Sequence, residues 1–328
     1  MKQEFQSDMP KIAVVIPAYR AAASIEEVIH GIPGWVDLMV VVEDGGSDNT
    51  AGLVSSMAKM DPRLHLMCHS SNQGVGGAVL SGYRLACQLG AEIIVKMDSD
   101  GQMDVAYLRQ LIAPLAAGEA DYTKGNRFLH TGELKAMPIA RLIGNIALSF
   151  LTKLASGYWN VFDPTNGYTA IHAALARRLC FDRLDTRYFF ETSMLLELGL
   201  MRAVVRDVFI PSRYGNEISY LSKRRTIMSF PGKLIKGLFR RLWIQYFVRD
   251  FNIGSVFFVG GMALFLFGSI FGLAHWIHSA FVHQVTPTGT VMLSVLPIIL
   301  GVQLLLQVIV LDVQNVPNKP IFSGYDIE

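Results

Sequence analysis

Hydrophobic and polar positions divide this chain into two regimes. Up to Ile210, short apolar runs bounded by polar turns alternate with stretches of helical period. Lys11–Pro17, Asp37–Glu43, Leu64–Cys68 and Glu92–Val95 read as buried strands, because each is short, apolar and rich in β-branched residues. Helices are predicted between them: one opened by the capping-box pattern Ser24-x-x-Glu27 and running to about His30, one from about Ala51 to Met60, and one over Ala78–Leu89. Val105–Ala117 and Tyr188–Leu200 read as further helices, and Asp121–Gly125, Tyr168–His172 and Arg202–Ile210 as further strands. Leu134–Tyr158 mixes apolar residues with Lys135, Arg141 and Lys153 at helical spacing, which suits a helix packed on the sheet or one resting on a bilayer surface. The alternation predicts an α/β fold with a mainly parallel, doubly wound sheet.

Beyond Ser212 the pattern changes. Tyr214–Leu221 is a loop with aromatic and apolar tips, followed by Lys223-Arg224-Arg225, and Ile227–Phe247 then interleaves Lys and Arg with Phe, Leu, Ile and Trp243. That mixture describes a helix lying in the interface of an anionic leaflet; nucleic acid would also attract it, but the adjoining apolar runs favour lipid. Val256–Ile277 and Thr290–Leu311 are almost continuously apolar, and about twenty residues suffice to cross a hydrocarbon core roughly 30 Å thick. Buried core helices are the alternative. With 17% charged residues in 328 and a mean hydropathy of +0.35, the chain is too apolar for an ordinary cytosolic enzyme. Three segments follow: an α/β domain over 1–211, a loop with juxtamembrane helices over 212–253, and a two-span segment over 254–328.

Charge matters through its placement, since the formal net charge is only +2. Lys233, Lys236, Arg240, Arg241 and Arg249 crowd the first span, whereas the connector His278–Gly289 has neither Lys nor Arg. The positive-inside rule then puts the large domain and the C-terminus on the cytoplasmic face of the inner (cytoplasmic) membrane. No apolar signal-peptide core precedes them. Cys68, Cys87 and Cys180 lack paired or metal-like spacing and read as inert core thiols in a reducing compartment. His65, His69 and His172 lack ligand spacing and read as structural. Gly260-Gly261 and Gly268 allow close helix contact and leave homo-oligomerisation through the spans open.

The candidate chemistry sits in Val95-Lys96-Met97-Asp98-Ser99-Asp100-Gly101-Gln102, at the C-terminal end of a predicted strand. In open α/β sheets that rim binds ligands. Alternate residues of an extended segment face the same way, so Asp98 and Asp100 can address one ligand together. Carboxylates so close repel unless a cation lies between them, and hard oxygen donors suit Mg²⁺ or Mn²⁺. No G-x-G-x-x-G turn follows the first strand and no P-loop lysine motif occurs, so two common nucleotide sites are absent.

The ordered set Val15-Ile16-Pro17-Ala18-Tyr19, Glu43-Asp44-Gly45-Gly46-Ser47-Asp48, Asn72-Gln73-Gly74, Asp98-Ser99-Asp100-Gly101-Gln102, Gly125-Asn126-Arg127-Phe128 and Asp163–Tyr168 resembles the family 2 glycosyltransferases of the GT-A fold. Within them it is most similar to the dolichol- and polyprenyl-phosphate hexose synthases. The resemblance covers roughly Ile12–Ile210, and two C-terminal spans match a membrane-anchored bacterial type. It implies that Pro17, Tyr19 and Asp44 frame the nucleotide base and ribose, with Ala18, Glu43, Asn72, Gly74, Lys96 and Ser99 also on the nucleotide sugar. It further implies that Asp98, Asp100 and Gln102 surround a divalent metal, and that Arg127 faces a donor or acceptor phosphate. Relatives usually continue the first motif with Asn-Glu, whereas Arg20-Ala21 follows Tyr19 here.

The expected reaction moves a hexose from a UDP- or GDP-sugar to polyprenyl phosphate with inversion. A sugar hydroxyl of a lipid-linked or polymeric glycan is the alternative acceptor, and a degenerate membrane scaffold the non-enzymatic one. A hydroxyl needs a general base, and the Glu-Asp pair that supplies it in relatives reads Glu191-Thr192 here, which favours a phosphate. Asp163 contacts the sugar or a metal-bound water, or caps its own turn; a surface ion pair is the alternative for Arg127; Glu191 is a base or a buried partner of Arg127 or Arg187. Tyr214, Ser219, Lys223, Arg224 and Arg225 hold the lipid phosphate or dock the chain on the membrane.

Overall fold

The structure, a computed structural model, describes residues 10–127, 139–211 and 223–322, without the side chains of 139–143, 145 and 223–229. The chain forms two compact units: one runs to Leu238 and takes in the tail from Pro317, and the other is Phe239–Val316.

The first unit is built on a seven-stranded sheet. In chain order its elements are β1 (Ile12–Ala18), α1 (Ile25–Gly31), β2 (Leu38–Glu43), α2 (Thr50–Ala58), β3 (Leu64–Cys68), α3 (Val75–Gln88), β4 (Ile93–Lys96), α4 (Leu108–Ala116), β5 (Tyr122–Asn126), α5 (Ile139–Ser156), β6 (Thr169–His172), α6 (Ala173–Arg178), α7 (Phe190–Met201) and β7 (Val205–Phe209). Every residue of β1, β2, β4, β5 and β6 is buried, as expected of strands covered on both faces. Alternation decides which face each one fills: Ala13 and Val15 join Val42, Val79 and Tyr83 on one side, while Val14 and Ile16 join Val41, Ile29 and Leu111 on the other.

The strand order β3-β2-β1-β4-β6-β5-β7 has a consequence for the site. From β1 the chain winds outward to β2 and β3, then crosses back to lay β4 on the other side of β1. The carboxyl ends of β1 and β4 thus flank a switch point, where open sheets form their ligand crevice. The sheet is mainly parallel, as expected; the exception is β6, which runs antiparallel to both β4 and β5, while β5 and β7 are parallel. Thr169 of β6 pairs with Lys96 at the end of β4, so an antiparallel β6 starts at the site's rim and delivers the 163–168 turn there.

The expected capping box at α1 does not form. Ser24 makes no cap hydrogen bond; its hydroxyl instead donates to Ser99 O at 2.6 Å, tying the start of α1 to the Asp98–Asp100 turn. Helix α5 packs on other helical residues and not on the sheet: Ala155 shares a small core with Phe189, Phe230 and Leu234, while Ile146 and Phe150 stay exposed. The cysteines depart from expectation, since Cys68 and Cys180 are exposed and Cys87 is half-buried.

The boundary between units falls within α8 (Lys223–Trp243), which continues through a π-helical turn, Ile244–Arg249. In the second unit, α9 (Ile253–Val282) and α10 (Thr288–Gln314) extend beyond the two expected spans at both ends, and both are long and apolar enough to cross a membrane. Glycines make their seam: a Cβ at Gly261 would lie 3.0 Å from Gly301 O, and one at Gly268 would lie 2.6 Å from Ser294 O. Close approach here joins two helices of the same chain. Arg241 makes a two-pronged pair with Asp312, Nη1 to Oδ1 at 2.7 Å and Nη2 to Oδ2 at 2.9 Å, both residues buried. Beyond α10 the tail rejoins the first unit, where Ile321 N and Phe322 N donate to the buried carboxylate of Asp121.

Candidate active site

A cavity of about 320 Å³ opens at the switch point. Pro17, Ala18 and Tyr19 line it from the end of β1, Asp44 from the end of β2, Asn72 and Gly74 from the turn before α3, and Asp98, Ser99 and Asp100 from the end of β4. Four separate sequence motifs therefore meet around one space.

Each motif is held from behind. Asp44 is 2% exposed and both its oxygens are engaged: Oδ1 lies 2.7 Å from His69 Nδ1 and accepts from Gln73 N at 2.9 Å, while Oδ2 accepts from Gly74 N at 2.8 Å. His69 Nε2 lies 3.0 Å from Ser81 Oγ, so this histidine links the acidic turn to α3. Glu43 folds back on its own turn, accepting from Gly46 N at 2.5 Å and Gly45 N at 3.2 Å, and is absent from the cavity lining. Arg20 takes a left-handed φ of 54° and lays its guanidinium 5.3 Å from the Tyr19 ring centre.

Lys96, expected on the nucleotide sugar, is 1% exposed beneath the cavity rather than lining it. Its Nζ lies 2.7 Å from Asp98 Oδ1 and 3.2 Å from Glu191 Oε1. Burial pulls this ammonium down, but the Asp98 and Glu191 carboxylates outweigh it and hold the pKa above the ordinary lysine value. Glu191 thus pairs with Lys96, not with Arg127 or Arg187. Gly167 makes the arrangement sterically feasible, since a Cβ there would run into Lys96 Nζ and lie 2.9 Å from Asp98 Oδ2. Asp100 Oδ1 accepts from Gln102 N at 3.0 Å; the Gln102 side chain is exposed and lies outside the lining.

Arg127 grips Asp163 with two bonds, Nε to Oδ2 at 2.7 Å and Nη2 to Oδ1 at 3.2 Å, and neither residue lines the cavity. Asp163 is fully buried and also accepts from Thr165 Oγ1 at 3.2 Å. Beside them lie two charged groups that periodicity did not single out. Burial brings Lys124, which donates to Asn166 O, down to about 8, and burial pushes Asp207 up to about 6. The predicted acceptor residues are not brought into view: Tyr214 and Ser219, like Phe128, lie outside the described residues, and Lys223, Arg224 and Arg225 open α8 without described side chains.

Arg187 and Tyr188 also line the cavity. The sequence reading placed Tyr188 at the start of a helix, but α7 begins at Phe190, so both residues sit on the preceding loop. One signal for this contact was present in Gly74-Val75-Gly76-Gly77. A Cβ at Gly74, whose φ is +91°, would strike Thr186 O, one at Gly76 would strike Asp185 O, and Gly77 N donates to Thr186 O at 3.2 Å. Closely spaced glycines announce a second backbone packed against the first.

The donor set fits a divalent cation in one particular way. Among the described residues no group of three or more His, Cys, Asp or Glu side chains gathers as a cage. Both Asp44 oxygens are already engaged, so Asp98 and Asp100 are left as two hard oxygen donors in the cavity, which suits a cation that takes its remaining ligands from outside the protein.

Comparison with known proteins agrees with the geometry. The enzyme that transfers N-acetylglucosamine from UDP-N-acetylglucosamine to dolichyl phosphate in Methanococcus voltae is 30% identical over 190 residues, 54% of this chain and 75% of that protein. The undecaprenyl-phosphate mannosyltransferase of Micrococcus luteus is 27% identical over 187 residues, 56% of this chain and 76% of that one. Among solved structures, glucosyl-3-phosphoglycerate synthase from Mycobacterium tuberculosis, in complex with Mn²⁺, UDP and glucosyl-3-phosphoglycerate, superposes with a TM-score of 0.52 at 20% identity, over 72% of this chain and 81% of its own. That likeness concerns the GT-A-like fold alone. The profile of glycosyl transferase family 2 matches residues 13–180, just over half of the 328, and the chain belongs to that family.

Proposed function

We infer that this chain transfers a hexose from a nucleotide sugar to a polyprenyl phosphate at the cytoplasmic face of the inner membrane. The observation that carries the reading is the convergence of Pro17–Tyr19, Asp44 and Asp98–Asp100 on one cavity at the switch point of the sheet. The relatives act on dolichyl or undecaprenyl phosphate by their names, and two helices suited to a bilayer follow the catalytic unit.

The chemistry needs charge more than proton transfer. In a single displacement, a phosphate oxygen of the lipid bonds to the anomeric carbon from the face opposite the donor diphosphate. The carbon–oxygen bond to that diphosphate breaks, the nucleoside diphosphate departs and the anomeric configuration inverts. A lipid phosphate is already ionised at neutral pH, so no side chain has to take a proton. Asp98 and Asp100 would hold Mg²⁺ or Mn²⁺, which when bound supplies positive charge to the leaving diphosphate. Tyr19, exposed at the cavity mouth, offers an aromatic face to the base. Lys96 fixes Asp98 from below, and Ser24 fixes the backbone at Ser99.

The alternative acceptor, a sugar hydroxyl, calls for a base beside the anomeric carbon. Glu191 is the carboxylate in the first turn of the late helix, but its Oε1 is held by Lys96 and it does not line the cavity. This supports the phosphate. The basic residues before α9 support a cytoplasmic orientation, and the tail, which rejoins the unit that carries the cavity, lies on the same side as that unit.

The test uses purified protein in detergent with labelled nucleotide sugars and undecaprenyl phosphate, followed by organic extraction. The expected product is a lipid-soluble labelled sugar phosphate with matching nucleoside diphosphate release. Absence of product until a glycan is added would move the acceptor to a hydroxyl.

A further inference from the structure

Arg187 combines a place in the cavity with a guanidinium that has no partner among the described residues. Its guanidinium makes no hydrogen bond or ion pair among the described residues, and it is the sole Lys or Arg among those lining the cavity. Arg127, which pairs with Asp163, lies outside the lining.

The segment carrying Arg187 is fastened on three sides. Gly74, Gly76 and Gly77 let its backbone seat directly on the start of α3, and the Asp44 carboxylate fixes that same turn through Gln73 N and Gly74 N. Asp185 Oδ1 accepts from Arg187 N at 2.9 Å, and Asp185 N donates to Ser193 Oγ at 3.0 Å on α7. On the third side, Lys233 of α8 pairs with Asp185 Oδ2 and places its Nζ 5.3 Å from the centre of the Phe189 ring. A loop built to this degree, ending in an unpaired guanidinium, is a binding element.

Charge balance names the ligand. Asp98 and Asp100 together cancel one divalent cation. A diphosphate then brings two or more further negative charges into a space lined by Asp44 as well, so a second cation is required. Arginine suits it, because its fork bonds two phosphate oxygens at once.

We propose that Arg187 binds the diphosphate of the nucleotide-sugar donor, and that Asp185 and Lys233 are positioning residues acting through it. The proposal rests on the reading of this cavity as a nucleotide-sugar site. It makes α8, the basic helix that leads into the apolar spans, part of the support of the donor site.

The test is calorimetric binding of UDP, GDP and the corresponding free nucleosides to the full chain in detergent with Mn²⁺. Wild type should bind at least one of the two diphosphates. Arg187→Met should weaken that binding on the order of ten-fold or more, as expected for a lost charged hydrogen bond, and leave nucleoside binding unchanged. Arg187→Lys should recover part of it, keeping the charge without the fork. Unchanged diphosphate binding in Arg187→Met overturns the proposal, and a raised KM for lipid phosphate alone would reassign the cation to the acceptor. If wild type binds neither diphosphate, the nucleotide-sugar reading itself fails. Lys233→Met should raise the donor KM at constant kcat, with Lys233→Arg restoring it; an unchanged KM removes the positioning role.

Discussion

Asp207 shows how burial shapes the charges behind the site. Its Oδ2 accepts from Phe162 N at 2.8 Å and from Asn126 Nδ2 at 2.9 Å, while Oδ1 is buried without a hydrogen-bond partner. Desolvation outweighs those bonds and raises the carboxyl from 3.8 to about 6. A raised acid favours the folded state in its protonated form. Its contribution is therefore complete below pH 4 and lost as pH rises through 6, on the order of 3 kcal/mol at most. Asp207→Asn keeps one oxygen for both donors and removes the ionisation. Thermal denaturation should find the variant close to wild type at pH 4 and more stable at pH 7.5; equal stability at both would show that Asp207 ionises without cost. Lys96 illustrates the opposite balance, its two carboxylate neighbours outweighing burial and keeping it charged.

Among the elements, the turn from Asn72 to Gly77 and the loop from Asp185 to Phe189 form one unit of function. Gly76→Ala would press a methyl into Asp185 O and Phe190, at a cost of about 1–3 kcal/mol, and would shift the segment bearing Arg187. Gly82→Ala on the same helix would press into Val15 Cγ1 of the sheet instead. Both variants should lose thermal stability, but only Gly76→Ala should also raise the donor KM. A raised KM in Gly82→Ala as well would make the effect one of general destabilisation. The sequence made much of this legible. Apolar runs placed the strands, and polar ends of strands placed the cavity, because strand termini on one rim converge whatever the loops between them do. What stayed hidden was non-local: periodicity carries no sign that Lys96 would meet Glu191, or that Ser24 would bond Ser99 O instead of capping its helix. The antiparallel course of β6 was hidden for the same reason, since a four-residue apolar run has no direction of its own.

At the scale of the whole molecule, the chain leaves its catalytic unit through α8, makes an apolar hairpin and returns. The hairpin is closed by the glycine seam and by Arg241 with Asp312; the return is fixed by Asp121, which also accepts from Val204 N at 2.7 Å. Arg241 is one of the basic residues that crowd the first span, yet in the structure it is neutralised by this buried pair. On the function proposed above, the reaction class depends on one feature: Asp98 and Asp100 holding a cation against the donor diphosphate. The direct measurement is calorimetric titration of Mn²⁺ together with UDP or GDP into wild type and into Asp98→Asn with Asp100→Asn. The account predicts diphosphate binding that requires Mn²⁺ in wild type and vanishes in the double variant while its thermal unfolding remains cooperative. Binding of equal strength without the metal, or undiminished in the double variant, would contradict it.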